Sequence, residues 1–142
     1  MKKILLILLS LVLLVGCSSK NNDKEYTHKA SMLITDFLGA SSNFSKTYHH
    51  VRTAGYDDAY NGLIDDTKKA YDGLSEKIKD MGDASDELKP LSEKIENTNK
   101  SIYKLINMIQ DKKTIIIDIE TEKANYDKLN SNYARLLELE NE

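Results

Sequence analysis

Residues 26–51, YTHKASMLITDFLGASSNFSKTYHHV, decide the fold. Tyr26, Ala30, Leu33, Phe37, Ala40, Phe44, Tyr48 and Val51 follow one another at 4-3-4-3-4-4-3 spacing. That period places them on one face of a helix, with the charged and hydroxylic residues on the other. Gly39 and the serines after it are a weak spot, because a mid-helix glycine costs about 1 kcal/mol. A kink or break is therefore allowed across residues 39–42. The stripe ends at Thr53-Ala54-Gly55, with Gly55 at the position that favours left-handed backbone.

Three more stripes follow. Tyr56, Tyr60, Leu63, Thr67, Ala70, Leu74, Ile78 and Met81 form the second, and Gly82 marks the turn after it. Within it, Ala59-Tyr60-Asn61-Gly62-Leu63 recurs eleven residues later as Ala70-Tyr71-Asp72-Gly73-Leu74. Eleven residues is close to three helical turns, so Gly62 and Gly73 share a face and would admit a close neighbour. Chance duplication in a low-diversity helix explains the repeat equally well. The third stripe is Leu88, Leu91, Ile95, Thr98, Ile102, Leu105 and Ile109. Pro90 is tolerated only near a helix start, which places that start at about Lys89. The fourth is Ile115, Ile119, Tyr126, Leu129, Tyr133 and Leu136. The phase slips across Gln110-Asp111-Lys112-Lys113, which favours two helices over one long one. Residues 114–119 (TIIIDI) have strand propensity, but a lone strand would have no partner. The expected fold is all-α: an elongated antiparallel bundle of three to four long helices over residues 25–142.

Upstream, Met1-Lys2-Lys3 is followed by residues 4–15, which are Ile, Leu or Val except for Ser10. This is a charged n-region and an apolar h-region in signal-peptide order. A helix of that length spans only about 18 Å, against about 30 Å of hydrocarbon core. The run closes on Leu14-Val15-Gly16-Cys17, which holds the single cysteine. These four residues resemble the lipobox of bacterial lipoproteins. The resemblance implies a diacylglyceryl group on the Cys17 sulfur and cleavage before Cys17, directed by Leu14, Val15 and Gly16. It thus implies removal of residues 1–16, a lipidated cysteine with a flexible tether over residues 17–24, and an extracytoplasmic domain on the cell membrane. Two acyl chains give stable anchoring where one is marginal. The Lys, Asn, Ile and Tyr bias suggests an AT-rich genome, and with the lipobox a Gram-positive source.

Without residues 1–16 the chain carries 18 basic and 23 acidic side chains, a formal charge of −5. An acidic domain is a poor ligand for nucleic acid or for anionic lipid. With Cys17 lipidated, disulfides and thiol catalysis within one chain are excluded. His49-His50 is the densest imidazole pair, but neighbours on a helix point about 100° apart. Residues 57–68 fail as a calcium loop: Ala59 and Lys68 stand where ligands are required. Phosphate-binding glycine loops and nucleophile elbows are absent from the sequence. The reading is a non-enzyme with no cofactor and no metal.

Eight tyrosines stand beside two phenylalanines. Tyr71 and Tyr103 lie next to a stripe rather than on it, and Ile115-Ile116-Ile117 wraps too far around a helix for a narrow seam. Tyr71, Tyr103, Ile116 and Ile117 are therefore the candidate interface residues. The expected role is binding a protein partner at the cell surface. In plan, the chain is similar to the small lipoproteins with which phages and conjugative elements of Gram-positive bacteria keep out a second related element. The paired helix-turn-helix repeats of one such type are not found here. A structural lipoprotein that binds or spaces cell wall is a further alternative, and capture of a small apolar ligand between helices a third.

Overall fold

A computed structural model describes residues 2–112 and 116–142, with side chains from residue 22 onward. Four helices follow one another: α1 (Lys2–Ala54), α2 (Asp58–Lys79), α3 (Lys89–Gln110) and α4 (Ile116–Glu140). Among the described residues there is no strand. Residues 17–24, the stretch read as a flexible tether, are helical as part of α1. The lipobox residues Leu14, Val15, Gly16 and Cys17 lie outside the residues whose side chains are described, and Ile115 lies outside the described residues.

The core of α1 is Tyr26, Ala30, Leu33, Phe37, Ala40, Phe44, Thr47 and Val51. This is a strict 4-3 alternation, the spacing that keeps a seam on its partners. Tyr48, expected on the stripe, sits half-buried at its edge and stacks on Phe44, with ring centroids 6.3 Å apart. Thr47 takes its place because its hydroxyl is satisfied. It lies 2.9 Å from the Thr67 hydroxyl, and the Asn43 and Leu63 carbonyls are within 3.1 Å. The helix runs through residues 39–42 without a break. Burial of Phe37, Ala40 and Phe44 on either side outweighs the glycine's helix penalty.

Gly55 ends α1 with φ +80°, and its N–H donates to the Val51 carbonyl at 3.0 Å. Asp57 then caps α2, accepting from the Tyr60 N–H at 3.1 Å. His50 lies 2.6 Å from the same Asp57 oxygen, and this contact is the main cause holding the carboxyl below its usual range. The aspartate that opened the rejected calcium loop is thus a helix cap. A Cβ on Gly55 or Gly62 would meet nothing within 4 Å, but only Gly55 has positive φ. Gly55→Ala is therefore expected to destabilise by about 1 kcal/mol through the backbone alone. Gly62→Ala, exposed in the interior of α2, is expected to stabilise by about 0.5–1 kcal/mol. Urea unfolding of the two variants should show opposite shifts in midpoint, and shifts of one sign would refute the assignment.

Two seams keep their expected course but are displaced by one residue at single positions. In α2, Ile64 is buried and Leu63 only half-buried. In α4, Asn130 and Leu137 are buried where Leu129 and Leu136 were expected. The strict heptad running through Ile119, Tyr126 and Tyr133 reaches Asn130 and Leu137, not their apolar neighbours. Gly62 is exposed and Gly73 has open space around it, so neither admits a close neighbour.

Helix α3 starts at Lys89 with Pro90 in its first turn, and its seven expected core residues are all buried. Ser101 and Ile106 are buried as well, because α3 meets α1, α2 and α4. Helix α1 likewise meets all three others, whereas α2 and α4 do not touch among the described residues. The order around the bundle is α1-α2-α3-α4, with α1 and α3 on the short diagonal. The partner pairs fix the directions. Thr47 meets Thr67 and Asp36 meets Lys77 at 3.0 Å, so α1 and α2 are antiparallel. The Tyr126 hydroxyl donates to the Phe37 carbonyl at 2.6 Å and the Tyr133 hydroxyl to the Ala30 carbonyl, which sets α4 antiparallel to α1.

Candidate functional site

The antiparallel layout gives the bundle two distinct ends. The α1–α2 and α3–α4 turns share one, where the Tyr60 hydroxyl donates to the Ile109 carbonyl at 3.2 Å. Lys112 lies over the Tyr56 and Tyr60 rings at that end, 5.4 and 5.6 Å from their centroids. Glu120 accepts from Tyr48 there and pairs with Arg52 at 3.3 Å. The opposite end gathers residues 22–24, the α2–α3 turn and the C-terminus. A shallow cavity of about 510 Å³ there is lined by Asp23, Lys24, His28, Glu87 and Glu140 among others. Residues 22 and 54 are separated by about 48 Å of helix.

Tyr71 and Tyr103 come together. Tyr71 on α2 is half-buried, Tyr103 on α3 is 48% exposed, and their rings lie 5.0 Å apart at 32°. Of the eight tyrosines Tyr103 alone is exposed. Tyr26, Tyr60, Tyr126 and Tyr133 are core, while Tyr48, Tyr56 and Tyr71 line its edge. Burial raises the pKa of Tyr126 and Tyr133 strongly, and that of Tyr26, Tyr48, Tyr56 and Tyr60 to a lesser degree.

Ile116 and Ile117 do not join the tyrosine pair. They open α4 at the turn end and are 37% and 64% exposed. An apolar residue at each of these positions contributes little to the core. Three exposed apolar residues were not singled out from sequence: Met32 and Leu38 on α1, and Leu139 on α4. The signal was present, since all three lie off the apolar stripes. Met32 borders an apolar groove of about 180 Å³ between α1 and α2, rimmed by the Asp36–Lys77 ion pair.

Among the described residues, no group of three His, Cys, Asp or Glu side chains is placed to hold a metal ion. His49 is exposed, whereas the neighbouring His50 turns to Asp57. No helix among the described residues is long and apolar enough to cross a membrane.

No family model, curated protein or solved structure matches this chain. Its function must be argued from its own surface. That surface offers a paired aromatic patch on the α2–α3 face, an isoleucine step at the turn end, and ion pairs typical of a solvated bundle elsewhere.

Proposed function

We propose that the protein is a non-catalytic, helical protein-binding module held on the outer face of the cytoplasmic membrane by a lipid on Cys17. The Tyr71–Tyr103 pair carries this reading. Two amphipathic rings in contact across two helices lose little further freedom on binding, and each offers both a face and a hydroxyl. The acidic balance of the mature chain gives it no means of its own to hold an anionic membrane, a need that the lipid meets.

Photo-cross-linking on intact cells tests the binding half. A photoreactive residue at position 100, one turn from Tyr103, is expected to capture a defined partner. Tyr71→Ala and Tyr103→Ala should each lower that capture at least tenfold, with helix content unchanged. Undiminished capture in both variants would remove the aromatic pair from the binding surface. Recovery of a cell-wall fragment instead would favour the structural-lipoprotein alternative, and recovery of a conjugation or phage component the exclusion alternative. For the anchor, Cys17→Ala should leave the detergent phase. Equal detergent partitioning of Cys17→Ala and wild type would sink it.

A further inference from the structure

One side of the bundle differs from the rest in charge. Between His28 and Lys46, the exposed positions of α1 are Ser31, Met32, Thr35, Leu38, Gly39 and Ser42. None is charged over roughly 20 Å of helix. Met32 and Leu38, 58% and 56% exposed, are the apolar members. The two charged groups in this stretch are turned aside and paired: Asp36 is half-buried with both oxygens 3.0 Å from Lys77 of α2, and Lys29 pairs with Glu25 at 2.9 Å. The outer faces of the other helices are interrupted by charge at shorter intervals: Asp65, Asp66, Lys68 and Lys69 on α2, Glu93, Glu96, Lys100 and Lys104 on α3, and Asp118, Glu120, Asp127, Lys128 and Arg135 on α4 are all exposed.

We infer that this face of α1 is the contact for a second copy of the same chain, with the two α1 helices parallel. Two arguments select that occupant. A two-fold axis sets each residue opposite itself or its near neighbours, so a charged face would meet its own charge. On a net-acidic domain the uncharged face of α1 is where that repulsion is least. The second argument rests on the anchor reading above. Helix α1 is the element that continues from the N-terminal segment, so two copies held in one membrane present α1 side by side and pointing the same way. Serine, threonine and glycine at 31, 35, 39 and 42 let the helices approach closely, and Leu38 fills the contact.

Contact over so few turns buries much less than the ~1,600 Å² of a standard stable interface. The dimer is therefore weak in free solution. Confinement to one membrane raises the effective concentration to roughly millimolar and makes the contact productive.

The test uses two differently tagged full-length copies in the same cells, with a photoreactive residue at position 42 or, as control, at 69 on α2. Position 42 should yield a cross-linked pair carrying both tags, joined between equivalent turns of α1, and position 69 should not. Leu38→Lys in both copies should lower the yield at least tenfold. Its far-UV spectrum and melting temperature should stay unchanged, because Leu38 is surface-exposed. No doubly tagged product at 42, or cross-linking there only to a different protein, overturns the inference. So do equal yields at 42 and 69, or indifference to Leu38→Lys. Cys17→Ala separates this from the anchor. If the pair forms but Cys17→Ala still partitions into detergent, the dimer stands and the lipid reading falls.

Discussion

Above pH 10 the protein is expected to lose stability steeply and to unfold before Tyr126 and Tyr133 ionise. Both rings are fully buried, and both hydroxyls donate to α1 carbonyls. Burial is the main cause raising their pKa above the ordinary 10.0, with Asp127 adding to it at Tyr126, and Tyr26 and Asp36 at Tyr133. The unfolded chain releases these protons near pH 10, whereas the folded chain retains them. The stabilisation is therefore complete below pH 10 and declines as pH rises toward the folded-state value. Each tyrosine contributes about 1.4 kcal/mol of loss per pH unit in that window. Together they remove about 5 kcal/mol by pH 12, comparable to the whole stability of an ordinary domain. Urea midpoints at pH 9, 10, 11 and 12, read by far-UV circular dichroism, measure the slope. Phenolate absorbance at 295 nm should rise in two stages, the second coincident with helix loss. Tyr126→Phe should lower the slope by about 1.4 kcal/mol per pH unit. If all eight tyrosines ionised together near pH 10 with the helices intact, the buried-tyrosine account would be wrong.

Phe37→Ala is expected to be the most damaging single truncation of the core, costing about 3–5 kcal/mol. Phe37 has no exposed surface and packs edge-on against Tyr133, with centroids 5.6 Å apart at 86°. Its own carbonyl receives the Tyr126 hydroxyl. One residue thus holds α4 through its ring and through its backbone, and the cavity left by alanine would loosen both attachments. Phe37→Leu should cost under ~1.5 kcal/mol if the neighbours repack. The check is the shift in urea midpoint at constant slope. A loss below about 1 kcal/mol for alanine would mean that the α1–α4 interface closes without this ring.

How much of this was legible in the sequence differs from helix to helix. All seven residues of the third stripe are buried as expected, but Ser101 and Ile106 beside it are buried too, because α3 meets three helices and no single stripe reports that. The second and fourth are displaced where two adjacent residues compete. Leu63 and Ile64 are both apolar, and only the approach of α1 and α3 chooses between them. At Leu129 and Asn130 a hydropathy-guided reading prefers leucine, yet the heptad set by Tyr126 and Tyr133 buries the asparagine. The polar contact that buries Thr47 depends on Thr67 of another helix, so no local pattern reports it. Tyr71 and Tyr103 stood out singly, as aromatics beside a stripe. That they touch follows from the α2–α3 register, which spacing within either helix does not encode. The bare face of α1 was readable as an absence of charge, but a search for chemical groups passes over an absence.

The position of α1, in contact with every other helix, has a consequence in time. The hydroxyls that land on its backbone come from Tyr126 and Tyr133, 89 and 103 residues further along the chain. A polypeptide made or exported N-terminus first must carry the α4-facing part of the α1 seam uncovered until nearly the last residue has emerged. The earlier hairpin with α2 shields only part of it. Completion of the fold is therefore tied to completion of the chain, and a product cut short before α4 is three helices with the α4-facing side of α1 and α3 left open.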